Sequence, residues 1–352
     1  AVRARARRGG GRLAPRAPAA PRRDPRALGR SRARARPPRR PAPRRLQGSR
    51  ALAGLEESAE RWDAASAVYR RLIALEEGDA LVATALRLAG ACARAGHLSD
   101  ARGGLERARR AAPGNAEIRE RLRALYAEIG ASRELAAITL EEAAAASDVA
   151  GRFALLVKAG RLLLEVGDAA QAAPVLREAR SLRPEDQEVA LLLVDALTAA
   201  GSPKEARAVT SELIVASKGR RSRLLGAVYH RLARIEDAEG NPRESLTALS
   251  RALENDPQNG ELAMALGESA LGLGEQDIAA RAYRAVTLMK IAPEPGEGGT
   301  TLAARALAYY HLGAMALAAG DRRKARLMLD KSVSEDGSLE AARALLDELR
   351  AG

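Results

Sequence analysis

The chain has 352 residues, with 58 lysines and arginines against 45 acids, a single cysteine, three histidines and eight aromatic side chains. Cys92 alone excludes a disulfide framework, and Cys92, His97, His230 and His311 lack the paired spacing of a structural zinc site. No run approaches the roughly 18 apolar residues of a membrane span, and the first residues have arginines without the apolar core of a signal peptide, so a soluble, cytoplasmic chain is expected.

Residues 1–50 hold eighteen arginines, one acid (Asp24) and eight of the sixteen prolines, a net charge of +17, which leaves residues 51–352 at −4. Such a segment has too few large apolar side chains to offset its chain entropy, so it is expected to be a disordered basic tail. One reading is an arm that neutralises nucleic-acid phosphates with salt-sensitive affinity, although no Phe, Tyr or Trp is interleaved for base stacking. The others are a solvated linker after an upstream domain and a gene-model extension, since Arg, Ala, Pro and Gly all have codons of G and C alone.

From residue 51 onward the glycines recur: Gly96, Gly130, Gly167, Gly201, Gly240, Gly274 and Gly320 are 34, 37, 34, 39, 34 and 46 residues apart. Five residues after most of them stands a small residue (Ala101, Ala172, Ala206, Ser245, Ala279, Ala325), with Leu135 the exception. About four residues later a larger one usually follows: Leu105, Leu176, Leu249, Tyr283 and Leu329, with Thr139 and Thr210 weaker. Glycine takes the left-handed conformation that ends one helix and turns the chain into the next. The small residue then lets the second helix approach the first, and the large one is expected to fill the space between neighbouring hairpins. Before each glycine runs an amphipathic helix, as in YHRLARIEDAEG with Tyr229, Leu232 and Ala233. Pro113, Pro184 and Pro257 close three hairpins.

These residues resemble the tetratricopeptide repeat, whose 34-residue pattern is W-x2-L-G-x2-Y…A-x3-F…P. The resemblance covers about residues 46–337 as eight repeats, roughly 46–81, 82–115, 116–152, 153–186, 187–225, 226–259, 260–305 and 306–339. It implies an all-α fold, a right-handed superhelix of helix-turn-helix units spanning 51–337. The first repeat lacks the turn glycine, yet Trp62, Ala65 and Tyr69 stand where its second helix needs them. The third departs most, with Arg123 where Gly or Ala is usual and Glu142 where an apolar residue is usual. Because the prolines close alternate repeats, the array reads as a tandem of two-repeat units. The segment ASKGRRSR adds charge between the fifth and sixth repeats, and IAPEPGEGGT, residues 291–300, reads as a flexible loop or hinge. Residues 338–352, N-capped by Ser338, read as a polar capping helix, the alternative being the first helix of a further repeat.

Nothing in the pattern assembles a nucleophile, base or metal set, so no enzyme, cofactor or metal is expected. Cys92 reads as a small core residue, His97 as a turn residue, and His230 and His311 as structural or solvent-facing. The string GLGEQD at 272–277 lacks the strand and lysine of a phosphate loop. The resemblance implies a concave groove that binds a peptide or helix of a protein partner, lined by the first helices. Glu117, Glu120, Glu188, Asp195, Glu261 and Glu268 align on that side, interspersed with Arg161, His230, Arg234 and Asp237. A basic partner segment suits these acids; their plainer role is to solvate the helices. Asn115, Asn241, Asn255 and Asn259 all fall in turns, which argues against the asparagine-dependent clamp that some relatives use on acidic chaperone tails. A regulatory fragment of a larger multidomain protein remains the other alternative.

Overall fold

The computed structural model describes residues 43–292 and 298–351. The expected tail therefore lies outside the described residues as far as residue 42, and its last residues belong to a helix. Eight helix pairs follow one another: α1 (Pro43–Ser58) with α2 (Trp62–Leu75), α3 (Gly78–Ala95) with α4 (Leu98–Ala111), α5 (Ala116–Glu128) with α6 (Ser132–Ala145), and α7 (Val149–Glu165) with α8 (Ala169–Leu182). Then come α9 (Gln187–Ala199) with α10 (Pro203–Ala216), α11 (Arg223–Ala238) with α12 (Pro242–Asn255), α13 (Gly260–Gly272) with α14 (Gln276–Leu288), α15 (Leu302–Ala318) with α16 (Arg322–Glu335), and a last helix α17 (Glu340–Ala351). Each helix packs on the next in the chain, and first helices touch across repeats, α3 with α5, α7 with α9, α9 with α11 and α13 with α15. The buried apolar residues accordingly form a string of clusters along the chain, the signature of a solenoid.

The turns follow one design. All seven predicted glycines have positive φ, from 67° at Gly130 to 80° at Gly320. The residue after each glycine donates its N–H to the carbonyl five residues earlier, as from Asp168 to Leu163 (2.8 Å) and from Asp321 to Ala316 (2.9 Å), which satisfies a carbonyl the helix end would leave bare. The first hairpin makes the same bond, Arg61 to Glu56, around Glu60, whose φ of 56° is the left-handed conformation without a glycine.

Every predicted small and large residue of the second helices is buried. Their partners differ from expectation. A Cβ placed on Gly160, Gly267 or Gly313 would lie 2.5 Å from Leu176, 2.5 Å from Tyr283 and 2.8 Å from Leu329 respectively. The large residue thus sits over a small residue of its own first helix, sixteen positions earlier, instead of filling only the space between hairpins. In the third and fifth hairpins the same two positions exchange sizes: Arg123 with Thr139, and Val194 with Thr210. Both threonines are fully buried, their hydroxyls returned to backbone carbonyls of their own helices (2.8 Å each). Arg123 and Glu142, the two misfits of the third repeat, pair with each other at 3.5 Å.

The alternation of repeats appears in helix length. First helices α3, α7, α11 and α15 have 18, 17, 16 and 17 residues, whereas α5, α9 and α13 have 13 each. The short ones follow the three proline turns and are capped by Asn115, Asp186 and Asn259, whose side chains accept from the third residue on. Three of the long ones begin three or four residues ahead of the predicted repeat starts, because Asp148, Ser222 and Thr301 cap them there.

Two expectations need correction. Residues at both ends of the 291–300 segment are held, not free: Gly299 accepts from Gly260 (2.8 Å) and donates to Gln258 (2.5 Å), while Thr300 donates to Lys290 and accepts from Ala292, both at 2.9 Å. A Cβ on Gly260 would lie 2.6 Å from the Gly299 carbonyl, so glycine content here permits close backbone approach. Residues 293–297 lie outside the described residues. Ser338 does not cap the last helix; its hydroxyl donates to Asp336 (2.6 Å) in the preceding turn, and α17 begins at Glu340.

Candidate functional site

The predicted groove residues lie on three stretches of the first-helix face. Glu117 and Glu120 are exposed on α5, where Glu120 pairs with Arg123 at 2.5 Å. They sit two hairpins before α9 and join none of the others. Arg161 of α7 reaches Glu188 of α9 in an ion pair, and Asp195 of α9 is held by Arg231 (2.7 Å) and Arg234 (3.4 Å) of α11. These pairs bind one first helix to the next. Exposed pairs of this kind contribute about 0–1 kcal/mol each, so their chief effect is to fix alignment.

The charges of α11 and α13 are arranged differently. His230, Arg234 and Asp237 from α11 and Glu268 from α13 line one open cleft of about 640 Å³, floored by Ala233, Leu249 and Ala265. Among the described residues Asp237, Glu261 and Glu268 form no ion pair within 4.0 Å, and neither does Glu117. Burial pushes His230 below the ordinary imidazole range, helped by Arg234 and Arg231 and opposed by Glu261 and Asp195.

Next to this cleft is a cluster that sequence reasoning passed over. Tyr283, fully buried over Gly267, stacks on His311 of α15 with ring centroids 4.7 Å apart and planes 10° from parallel. Tyr310 meets the same imidazole edge-on at 5.2 Å. Burial lowers His311, with Glu268 opposing, and burial raises the Tyr283 phenol to about 12. The Tyr283 hydroxyl has no hydrogen-bond partner among the described residues. Arg231 was likewise absent from the predicted groove; its signal was the turn of helix that places it beside Arg234, facing α9.

No three His, Cys, Asp or Glu among the described residues are grouped to hold a metal ion. Cys92 is fully buried and burial raises its thiol to about 11, so it sits in the protein as a small core side chain. No helix among the described residues is long and apolar enough to cross a membrane.

Family models described as tetratricopeptide repeat match residues 163–228 and 230–294, which run from α7 through α14. These residues are tetratricopeptide repeats. Outside those matches, α3 with α4 and α15 with α16 repeat the turn glycine and the buried small residue of the matched pairs, so the repeats extend beyond them in both directions. No curated protein matches the sequence. Similar solved structures include a tetratricopeptide repeat protein from Parabacteroides merdae, 16% identical, covering 77% of this chain and 99% of that one with a TM-score of 0.41. BtubC (BKLC) from P. vanneervenii is 20% identical over 60% of this chain and 92% of that one, TM-score 0.47. YrrB, a TPR protein with an unusual peptide-binding site, is 22% identical over 54% of this chain and 89% of that one, TM-score 0.39.

Proposed function

We propose that this chain is a non-catalytic interaction scaffold that holds a basic peptide or helix of a protein partner along its first-helix face, centred on α11 and α13. One observation carries the reading: the cleft between these helices has a small apolar floor, and its acids Asp237 and Glu268, with Glu261 on the same helix as Glu268, have no arginine committed to them. Upstream, Glu188 and Asp195 are already bound by arginines of the chain. An incoming Lys or Arg meets unspent acceptors at the cleft but displaces existing pairs on α9. Long-range attraction speeds such an encounter more than it tightens the complex.

The test is anisotropy of labelled lysine- and arginine-rich peptides titrated with the full chain, beside a Glu261→Lys/Glu268→Lys variant. Neither substitution breaks an internal ion pair, so helix content should stay unchanged while binding is lost. Equal binding by both proteins would move the site elsewhere. The eighteen arginines of residues 1–50 support a second reading, nucleic-acid association through the tail. It predicts binding by the full chain that falls steeply with salt and disappears when residues 1–42 are removed.

A further inference from the structure

The first helix presents a face that no described residue covers. Leu52 is 47% exposed and Leu55 66% exposed, while Ala53 between them is fully buried against the next helices. Gly48 and Ala51 extend the stripe by a turn, and a Cβ added to Gly48 would meet nothing within 4 Å, so packing inside the chain makes no demand for glycine there. The last described helix is arranged differently. In α17, Leu346 is buried and Leu345 and Leu349 pack inward, leaving Glu340, Arg343, Asp347, Glu348 and Arg350 outside. Charge is also polarised along α1. Arg44 and Arg45 at its start and Glu60 just past its end form no ion pair with another described residue.

We propose that α1 is a self-association surface on which a second copy of the chain lays its own α1 antiparallel, the two-fold axis passing between Ala51 and Leu52. An isologous pairing of this kind places each residue opposite the one equally far across the axis. Leu55 then faces Gly48 of the second copy and Leu52 faces Ala51. This is the large-over-small fit that already joins helices inside the hairpins, as Tyr283 over Gly267. The same arrangement sets Arg44 and Arg45 beside the Glu60 end of the other helix, whereas a parallel pairing would put arginines against arginines. Two helix faces bury much less than the roughly 1,600 Å² of a standard interface, so the dimer is weak and concentration-dependent.

Sedimentation velocity of the full chain, from about 1 µM to about 0.5 mM, reads this directly. The wild type should shift from monomer toward dimer across that range. Leu52→Glu/Leu55→Glu should remain monomeric with an unchanged circular dichroism spectrum. Arg44→Glu/Arg45→Glu and Glu60→Arg should each weaken association about threefold to tenfold at low salt, and an equimolar mixture of the two should recover it, because both ends of the mixed pair are then complementary. A wild type that stays monomeric at the highest concentration overturns the proposal, as does a leucine variant that dimerises like wild type. Charge variants that fail to weaken association, or a mixture that fails to recover it, overturn the antiparallel arrangement.

Discussion

Glu60 occupies a backbone conformation, φ 56°, that costs a non-glycine residue roughly 1 kcal/mol. The other seven hairpins place glycine there. Glu60→Gly should therefore stabilise the chain by about 0.5–1 kcal/mol, offset in part by glycine's greater unfolded-state entropy. A rise in thermal midpoint checks this, and a fall would show that the Glu60 side chain contributes more than its backbone costs. At the same scale, the buried thiol of Cys92, raised to about 11, should resist thiol-directed reagents at pH 8 in native buffer and react fully in denaturant. Rapid native labelling would contradict the burial of α3. The turn at Glu60 was only half legible from sequence: Ala65 and Tyr69 marked the hairpin, but no residue type announces a strained glutamate.

Three hairpins are joined by a size-matched pair sixteen residues apart: Gly160 with Leu176, Gly267 with Tyr283 and Gly313 with Leu329. Gly267 beneath Tyr283 leaves no room for a methyl, so Gly267→Ala should destabilise by about 1–3 kcal/mol, and adding Tyr283→Leu should recover part of the loss. The third hairpin offers the reverse experiment. Arg123→Gly alone frees Glu142 and Glu120 and leaves a gap, whereas Arg123→Gly with Thr139→Leu restores the size pair of the other repeats. The double variant should melt above the Arg123→Gly single; melting below it would mean that the ion pairs outweigh the packing. This pairing was present in the sequence as a fixed offset between two columns of residues. Neither column announces it alone, because only contact shows that one residue sits on the other.

For the whole array, pH acts through two imidazoles. His230 and His311 are both lowered by burial, so the folded state favours their neutral forms. Their contribution is present above the ordinary imidazole value near 6.5 and is lost as pH falls through the lower folded values. Thermal midpoints should fall from pH 7 toward pH 5, and the fall should shrink in a His230→Gln/His311→Gln variant. An equal fall in that variant would assign the acid sensitivity to carboxylates instead. Both histidines lie where adjacent repeats meet, so their protonation bears on the stacking of repeats more than on any single hairpin.

The sequence by itself determined the repeat, the seven glycine turns, the buried small and large positions and the alternation of paired repeats. All of these are consequences of local rules: a left-handed turn selects glycine, and a helix stripe selects apolar residues at three- and four-residue spacing. Tertiary structure alone decided which charges remain available. Glu188, Asp195 and Glu268 look alike along the chain, yet the first two are taken by arginines 27 residues before and 36 residues after them, and the third is not. It likewise decided that the ends of a glycine-rich segment are anchored by backbone bonds to Gly260 and Lys290. Pairing across repeats depends on how adjacent helices are stacked, and that geometry is not encoded in the spacing of any one helix.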